Sequence, residues 1–219
     1  MANDMIARTG YKASPKDTTS FALNALQEKY GETFQYIGPW GSSLGGTQEF
    51  LASCDSLPGQ RILVSVEHYK DTETRTVSDN YLACRYAQET EDYLLRCAQE
   101  NLGSARVFYS PTMLTLSADL PADASFERFL AESGVYVGAI IEVKASEFRG
   151  EEQARAMIQQ ISGSGAECNL NIVALPDDVF GTLDRDAIRS RIRTGAYVLF
   201  AEVSNHAGTV SIDLKEGTA

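Results

Sequence analysis

Several scarcities narrow the chemistry open to this chain. It holds only two histidines, His68 and His206, and one tryptophan, Trp40, so general-base catalysis near neutral pH has few side chains to draw on. His68 continues the Ile62, Val64, Val66 face of a predicted strand and reads as a core-edge residue. His206 falls in a predicted turn, open to solvent. The four cysteines, Cys54, Cys84, Cys97 and Cys168, form no C-x-x-C pair and lie near no histidine at zinc-ligand spacing, and no calcium-loop pattern occurs; no metal and no cofactor is expected. Cys84 and Cys97 fall in one predicted helix, about 20 Å apart at 1.5 Å per residue, beyond disulfide reach. All four read as buried, inert thiols. No apolar run approaches the length of a membrane span, and Met1 to Arg8 lack the apolar core of a secretory signal. As written the chain is expected in the cytoplasm. A chain whose signal had been removed would read the same, which leaves an extracytoplasmic location as the alternative.

Positive charge is also in deficit. The chain has 19 Lys and Arg against 30 Asp and Glu, a net charge of -11. The imbalance is even, with 10 basic and 15 acidic residues through Leu120 and 9 and 15 afterward. Such a field repels double-stranded nucleic acid, so nucleic acid is disfavoured as a partner. With 43% hydrophobic and 22% charged residues over 219 positions, the composition is that of a globular chain able to bury roughly 70% of its unfolded surface.

What is present is a rhythm of amphipathic segments closed by glycine and followed by apolar, β-branched runs, which reads as an α+β or α/β protein with mixed sheets and packed helices. A polar leader over 1–19 precedes a helix capped by Thr19 or Ser20, carrying Phe21, Leu23, Leu26 and Tyr30 on its apolar face and ending at Gly31. Strands follow at Phe34–Ile37, Gln48–Cys54 and Ile62–Glu67, an antiparallel meander whose first loop is the glycine-rich Gly38–Gly46. One long helix is expected from an Asp79 cap to Asn101, with Leu82, Tyr86, Tyr93 and Cys97 on one stripe. Its opposite face, Arg85, Glu89, Asp92 and Arg96, has the spacing of solvated ion pairs.

Short strands are expected at Val107–Tyr109 and Leu114–Leu116, and Leu120–Asp123 marks a boundary. The chain thus divides into a leader, a region over 20–120 and a half over 121–219, the last two open to being one continuous domain. The second half alternates: helix Ser125–Glu132, strand Val135–Lys144, helix Glu151–Ile161, strand Glu167–Leu175, helix Asp184–Arg193, and strands Ala196–Val203 and Thr209–Leu214 joined by a hairpin at Asn205–Gly208.

Four constellations could carry chemistry. Gly41-Ser42-Ser43-Leu44-Gly45 fits the G-x-S-x-G pattern of a nucleophile elbow, and Asp184 and His206 follow Ser43 in the serine, acid, histidine order of α/β-hydrolases. However, a period-two segment follows this loop where the elbow needs a helix. The same loop lacks the Lys and the following helix of a phosphate cradle. Trp40, between Pro39 and Gly41, is a candidate anchor for a partner. Arg185, Arg189 and Arg193 stand at four-residue steps on one helix and would align three guanidinium groups against the acidic field, suited to an acidic protein surface or a phosphorylated ligand. Glu151-Glu152, Asp177-Asp178 and Asp184-Arg185-Asp186 read as helix-start and cap residues.

Two stretches, Glu28-Lys29-Tyr30-Gly31-Glu32-Thr33-Phe34 and Asp79-Asn80-Tyr81-Leu82 with Arg85, Tyr86 and Glu89, resemble a group of small uncharacterised bacterial proteins, some of which carry lipoprotein-type signals. That resemblance implies an envelope-associated role, although this chain shows neither signal nor lipobox cysteine. It brings no activity with it. Taken together, the residues favour a non-catalytic protein of bacterial origin that binds another macromolecule, with Arg185, Arg189, Arg193 and Trp40 as contacts. The alternatives are a serine hydrolase using Ser43, and an acidic immunity- or inhibitor-type protein that blocks a basic partner.

Overall fold

The computed structural model describes residues 15–40, 47–68, 75–111, 120–131 and 136–218. These form six helices, a four-stranded sheet and a five-stranded sheet, the α+β architecture with mixed pairing that the residue pattern predicts. Two compact units interleave along the chain: one holds the described residues up to Arg85 together with 120–125, the other holds 86–111 and 126–218.

The first unit opens on α1 (Pro15–Tyr30), four residues before the expected cap at Thr19. Proline suits a first helical turn because its missing N–H would be unpaired there anyway, and Asp17 adds a favourable charge to that turn. Then come β1 (Phe34–Pro39), β2 (Thr47–Cys54), β3 (Ile62–His68) and β4 (Arg75–Asp79), all antiparallel in the order β1-β2-β3-β4. The meander is as expected except for β4, which sequence reading missed. Val77 is the one aliphatic residue in that five-residue strand, too little apolar alternation to declare it. Ala22, Leu26, Phe50, Ile62, Val64 and Leu82 are fully buried in this unit.

The single long helix expected from Asp79 to Asn101 is broken. Asp79 ends β4, α2 covers Tyr81–Arg85, and α3 covers Ala87–Leu102. At the break Tyr86 leaves helical geometry, at φ -95° and ψ 20°. Its ring packs at 5.6 Å from Phe126 and 5.4 Å from Phe129. Contacts remote in sequence thus overrule a continuous helical period. The inference that Cys84 and Cys97 share one helix falls with it. So does the shared charged face, since Arg85 lies on α2 and donates to Ala122 O at 3.3 Å. All four cysteines are free and buried, as expected.

In the second unit, β5 (Ala105–Tyr109), β6 (Tyr136–Lys144), β7 (Glu167–Leu175), β8 (Leu199–His206) and β9 (Thr209–Glu216) form one sheet in chain order. Only β6 and β7 are parallel, joined through α5 (Glu151–Gly163); the other pairs are antiparallel. Strand β8 starts three residues later than predicted, because Ala196 to Val198 form the turn leaving the preceding helix. The predicted strand Leu114–Leu116 lies outside the described residues.

Strand alternation sorts the sheet's two faces. Ile141, Val143, Leu170 and Ile172 are fully buried on the side where α3 and α5 pack. Ile140, Val173 and Phe200 face the other way, against Ile188 of α6 (Arg185–Thr194). On that second face Glu142 is completely buried, paired with Arg106 at 2.9 Å and accepting the Gly181 N–H at 2.9 Å.

Gly103 closes α3 at φ 88° and ψ -138°, and a Cβ built there would overlap Glu147 Oε2. Glu147 accepts from the Ser104 hydroxyl at 3.0 Å and from its backbone N–H, so the turn into β5 is tied to the end of β6. Gly103→Ala therefore meets both a disfavoured backbone and a displaced carboxylate. The expected cost is about 2–3 kcal/mol, read as a lower urea midpoint with unchanged slope.

Candidate functional site

Helix α6 begins as its sequence dictates. Asp184 is extended at the N-cap and its Oδ1 accepts the Ala187 N–H at 2.8 Å, while Gly195 closes the helix in the left-handed region at φ 75°. Ile188 is the helix's one fully buried residue, and Ile192 joins it on the sheet. Arg189 and Arg193 each follow a residue of that inward pair, and Arg185 lies one turn before Arg189, so the three guanidinium groups line one flank of the helix.

Arg185 fixes the direction of that flank. Its Nη1 donates to Ser110 Oγ at 3.0 Å. Ser110 directly follows Tyr109, which pairs with Ala139. The next residue toward the start of β6, Gly138, begins a row running Gly138, Asn169, Ser204, Ser211 across the sheet. The adjacent row is Ile140, Asn171, Glu202, Asp213. These side chains share the α6 face with Val173 and Phe200, and all except Ile140 are half-buried or exposed. Arg185 thus reaches toward the end of the sheet where this polar shelf begins. Asn169 and Asn171 were missed because they sit inside an otherwise apolar run; the usable signal was their two-residue spacing, which puts both on one face of β7.

Burial lowers the pKa of Arg185, and the neighbouring Arg189 lowers it further, against the opposing pull of Asp186 and Glu91. Its Nε is buried with no hydrogen-bond partner among the described residues. Arg189 is half-exposed and lies 3.8 Å from Asp186, a surface pair of little energetic weight. Arg193 is exposed. Arg191 leaves the row and donates to Ala196 O at 3.2 Å, bracing the turn after α6.

The other predicted residues are dispersed. Asp184 is engaged as the α6 cap, and His206 Nδ1 lies 2.7 Å from Glu167 Oε2; Ser43 lies outside the described residues. Trp40 is half-buried, and its N–H donates to Glu49 O at 3.0 Å, extending the β1–β2 pairing. His68 ends β3. Asp177 accepts the Ser146 hydroxyl at 2.6 Å and its N–H at 3.2 Å, which hold the carboxyl below its usual range.

Sequence reading missed a polar cluster in the first unit. Asp79, 2% exposed, accepts from Tyr30 Oη at 2.8 Å, the Tyr81 N–H at 2.9 Å and Lys29 Nζ at 3.4 Å. Glu32 accepts from Tyr81 Oη and, at 2.8 Å, from Ser56 Oγ, which is 3.5 Å from Cys54 Sγ. Burial raises the Glu32 carboxyl, but hydrogen bonds from Tyr81 and Ser56 outweigh it and hold the group below the usual range. So depressed a carboxylate is a weak base for activating Ser56. Burial likewise pushes the Cys54 thiol up, away from the reactive thiolate. The cluster joins α1 and β1 to α2 as a hydrogen-bonded lock.

No protein-family model matches the chain, and no curated protein matches its sequence. A crystal structure of a DUF5037 family protein from Ruminococcus gnavus is similar over 88% of this chain and 92% of its own, at 15% identity and a TM-score of 0.44. Among the described residues no three His, Cys, Asp or Glu side chains gather in a way that could hold a metal ion, and no helix is long and apolar enough to cross a membrane.

Two measurements check this description. Because the folded-state pKa of Glu32 is depressed, its stabilising contribution is complete above the unfolded value of about 4.3 and is lost as pH falls through the folded value. Urea unfolding at about pH 5 and about pH 3 should show wild type losing more stability than Glu32→Gln across that interval. Burial raises Cys84 and Cys168 to about 12, so at about pH 8 a disulfide reagent should label both at about one-hundredth of the rate seen in urea, or slower.

Proposed function

We propose that this chain is a non-catalytic binding protein that docks an acidic protein surface against the arginine flank of α6. The observation that carries the reading is Arg185: a guanidinium partly withdrawn from water, with another guanidinium as neighbour and a buried Nε that has no partner among the described residues. Keeping like charges together in a partly desolvated place costs free energy, and an incoming carboxylate offsets that cost through paired, charge-assisted hydrogen bonds. Asn171 and Ser204 on the adjoining shelf supply neutral hydrogen-bonding groups beside the charged contact. Trp40 is a separate candidate contact, belonging to the first unit.

The test is binding of a fluorescent Asp- and Glu-rich peptide to wild type and to the Arg185→Glu, Arg189→Glu, Arg193→Glu triple variant, with circular dichroism confirming that both are folded. Pull-downs from cytosolic and envelope fractions of the native host accompany it. The triple variant should bind at least about tenfold more weakly, wild-type affinity should fall with salt, and partners retained by wild type should be lost. Equal peptide binding by wild type and variant would remove the reading. Trp40→Ala, measured alongside, should leave peptide binding on α6 unchanged.

A further inference from the structure

The five-stranded sheet ends on β9, eight residues of which only Val210 and Ile212 are half-buried and the rest exposed. Its ladder to β8 runs without a register shift from His206–Thr209 to Leu199–Glu216. Just beyond it the Gly217 N–H donates to Val198 O at 3.2 Å. Antiparallel alternation counted back from that bond turns the N–H and C=O groups of Ser211, Asp213 and Lys215 toward β8. Those of Val210, Ile212 and Leu214 point outward, away from the sheet.

An exposed edge of this kind is usually blunted. Strand β1, at the edge of the other sheet, is blunted by a bulge between Tyr36 and Gly38 and by Pro39. On β9 there is neither proline nor bulge, and Leu214 is 37% exposed.

We infer that β9 pairs antiparallel with β9 of a second copy of this chain, about a two-fold axis through Ile212. That axis sets Ile212 against its own copy and Val210 against Leu214, so apolar meets apolar at these three outward-directed positions. It sets Ser211 opposite Asp213 and Thr209 opposite Lys215, so each charge faces a hydroxyl and no like charges oppose. Lys215 already neutralises Asp213 within the strand, at 2.8 Å. A two-fold axis through Leu214 would set Asp213 against Lys215 but Glu216 against Ile212, charge against apolar, and would pair only 212–216 instead of 209–215, so it is disfavoured. The self-complementary pattern identifies the occupant, since a second copy supplies the matching strand by symmetry. Each copy carries a net charge of -11, so pairing strengthens as salt screens the mutual repulsion. Binding of an acidic surface to α6 responds in the opposite direction.

The test is sedimentation velocity of the full chain over a wide concentration range, for wild type, Ser211→Asp and Ser211→Lys. Ser211 is exposed, so both variants keep the monomer fold, which circular dichroism checks. Wild type should pass from monomer to dimer as concentration rises. Ser211→Asp, which sets a carboxylate opposite Asp213 twice per dimer, should weaken dimerisation about tenfold, and Ser211→Lys should tighten it by a similar factor. A wild type that stays monomeric throughout, or a dimer that responds equally to the two substitutions, overturns the proposal. Peptide binding by α6 is read separately, on wild type and the arginine triple variant, because Ser211 lies on the same face of the sheet as α6.

Discussion

The second unit depends on a buried carboxylate. Glu142 lies in β6 with no exposure to water, and such a charge is tolerated only with its acceptor capacity filled. Arg106 on the adjacent strand pairs with one oxygen at 2.9 Å, and the Gly181 N–H donates to the other at 2.9 Å. The same Arg106 Nη1 donates to Leu183 O at 3.0 Å, and its guanidinium lies 5.0 Å from the centre of the Phe108 ring. One ion pair thus joins β5 to β6 and pins the segment leading out of β7 just before Asp184 caps α6. Removing one partner of such a pair typically costs about 3–5 kcal/mol. Here it would also release the entry to α6, so the placement of the arginine flank rests on this clamp as much as on Ile188.

The first unit has an analogous arrangement. Asp79 finishes β4, caps α2, and receives Tyr30 and Lys29 from α1, while Glu32 receives Tyr81. The stretches 28–34 and 79–82 therefore meet: Lys29 and Tyr30 bond Asp79, and Glu32 bonds Tyr81. Both units keep carboxylates in place by filling their lone pairs with donors.

The α6 flank and the β9 edge belong to the same unit and use different physics. The flank offers charge that is only partly solvated, so the proposed binding would follow electrostatic complementarity and fall with salt. The edge offers backbone hydrogen-bonding groups and an apolar stripe, and salt assists it. If two copies pair through β9, the two α6 flanks lie on one face of a continuous sheet. A partner with two acidic patches would then gain from effective concentration as well as from contact.

The alternating second half was legible because its signals are local: Asp184 and Gly195 cap α6, Glu151 starts α5, and the last hairpin turns at Ala207–Gly208, inside the predicted Asn205–Gly208, whose first two residues extend β8. Apolar runs likewise declared β6 and β7, and composition set the acidic field. Tertiary structure decided what depends on distant partners. A continuous helical period breaks at Tyr86 because Phe126 and Phe129 take its ring. Arg75–Asp79 is a strand because β3 offers it a ladder, despite its weak alternation. Asn169 and Asn171 become the floor of a shelf only when strand register sets them beside Ser204 and Glu202. The amino-acid sequence by itself determined most of the helices and strands, β4 and the break at Tyr86 apart, through periodicity and caps that act over a few residues. Which charges stand together was left to the pairing of strands and the packing of α6, because those contacts join residues too far apart in the chain for any local pattern to encode.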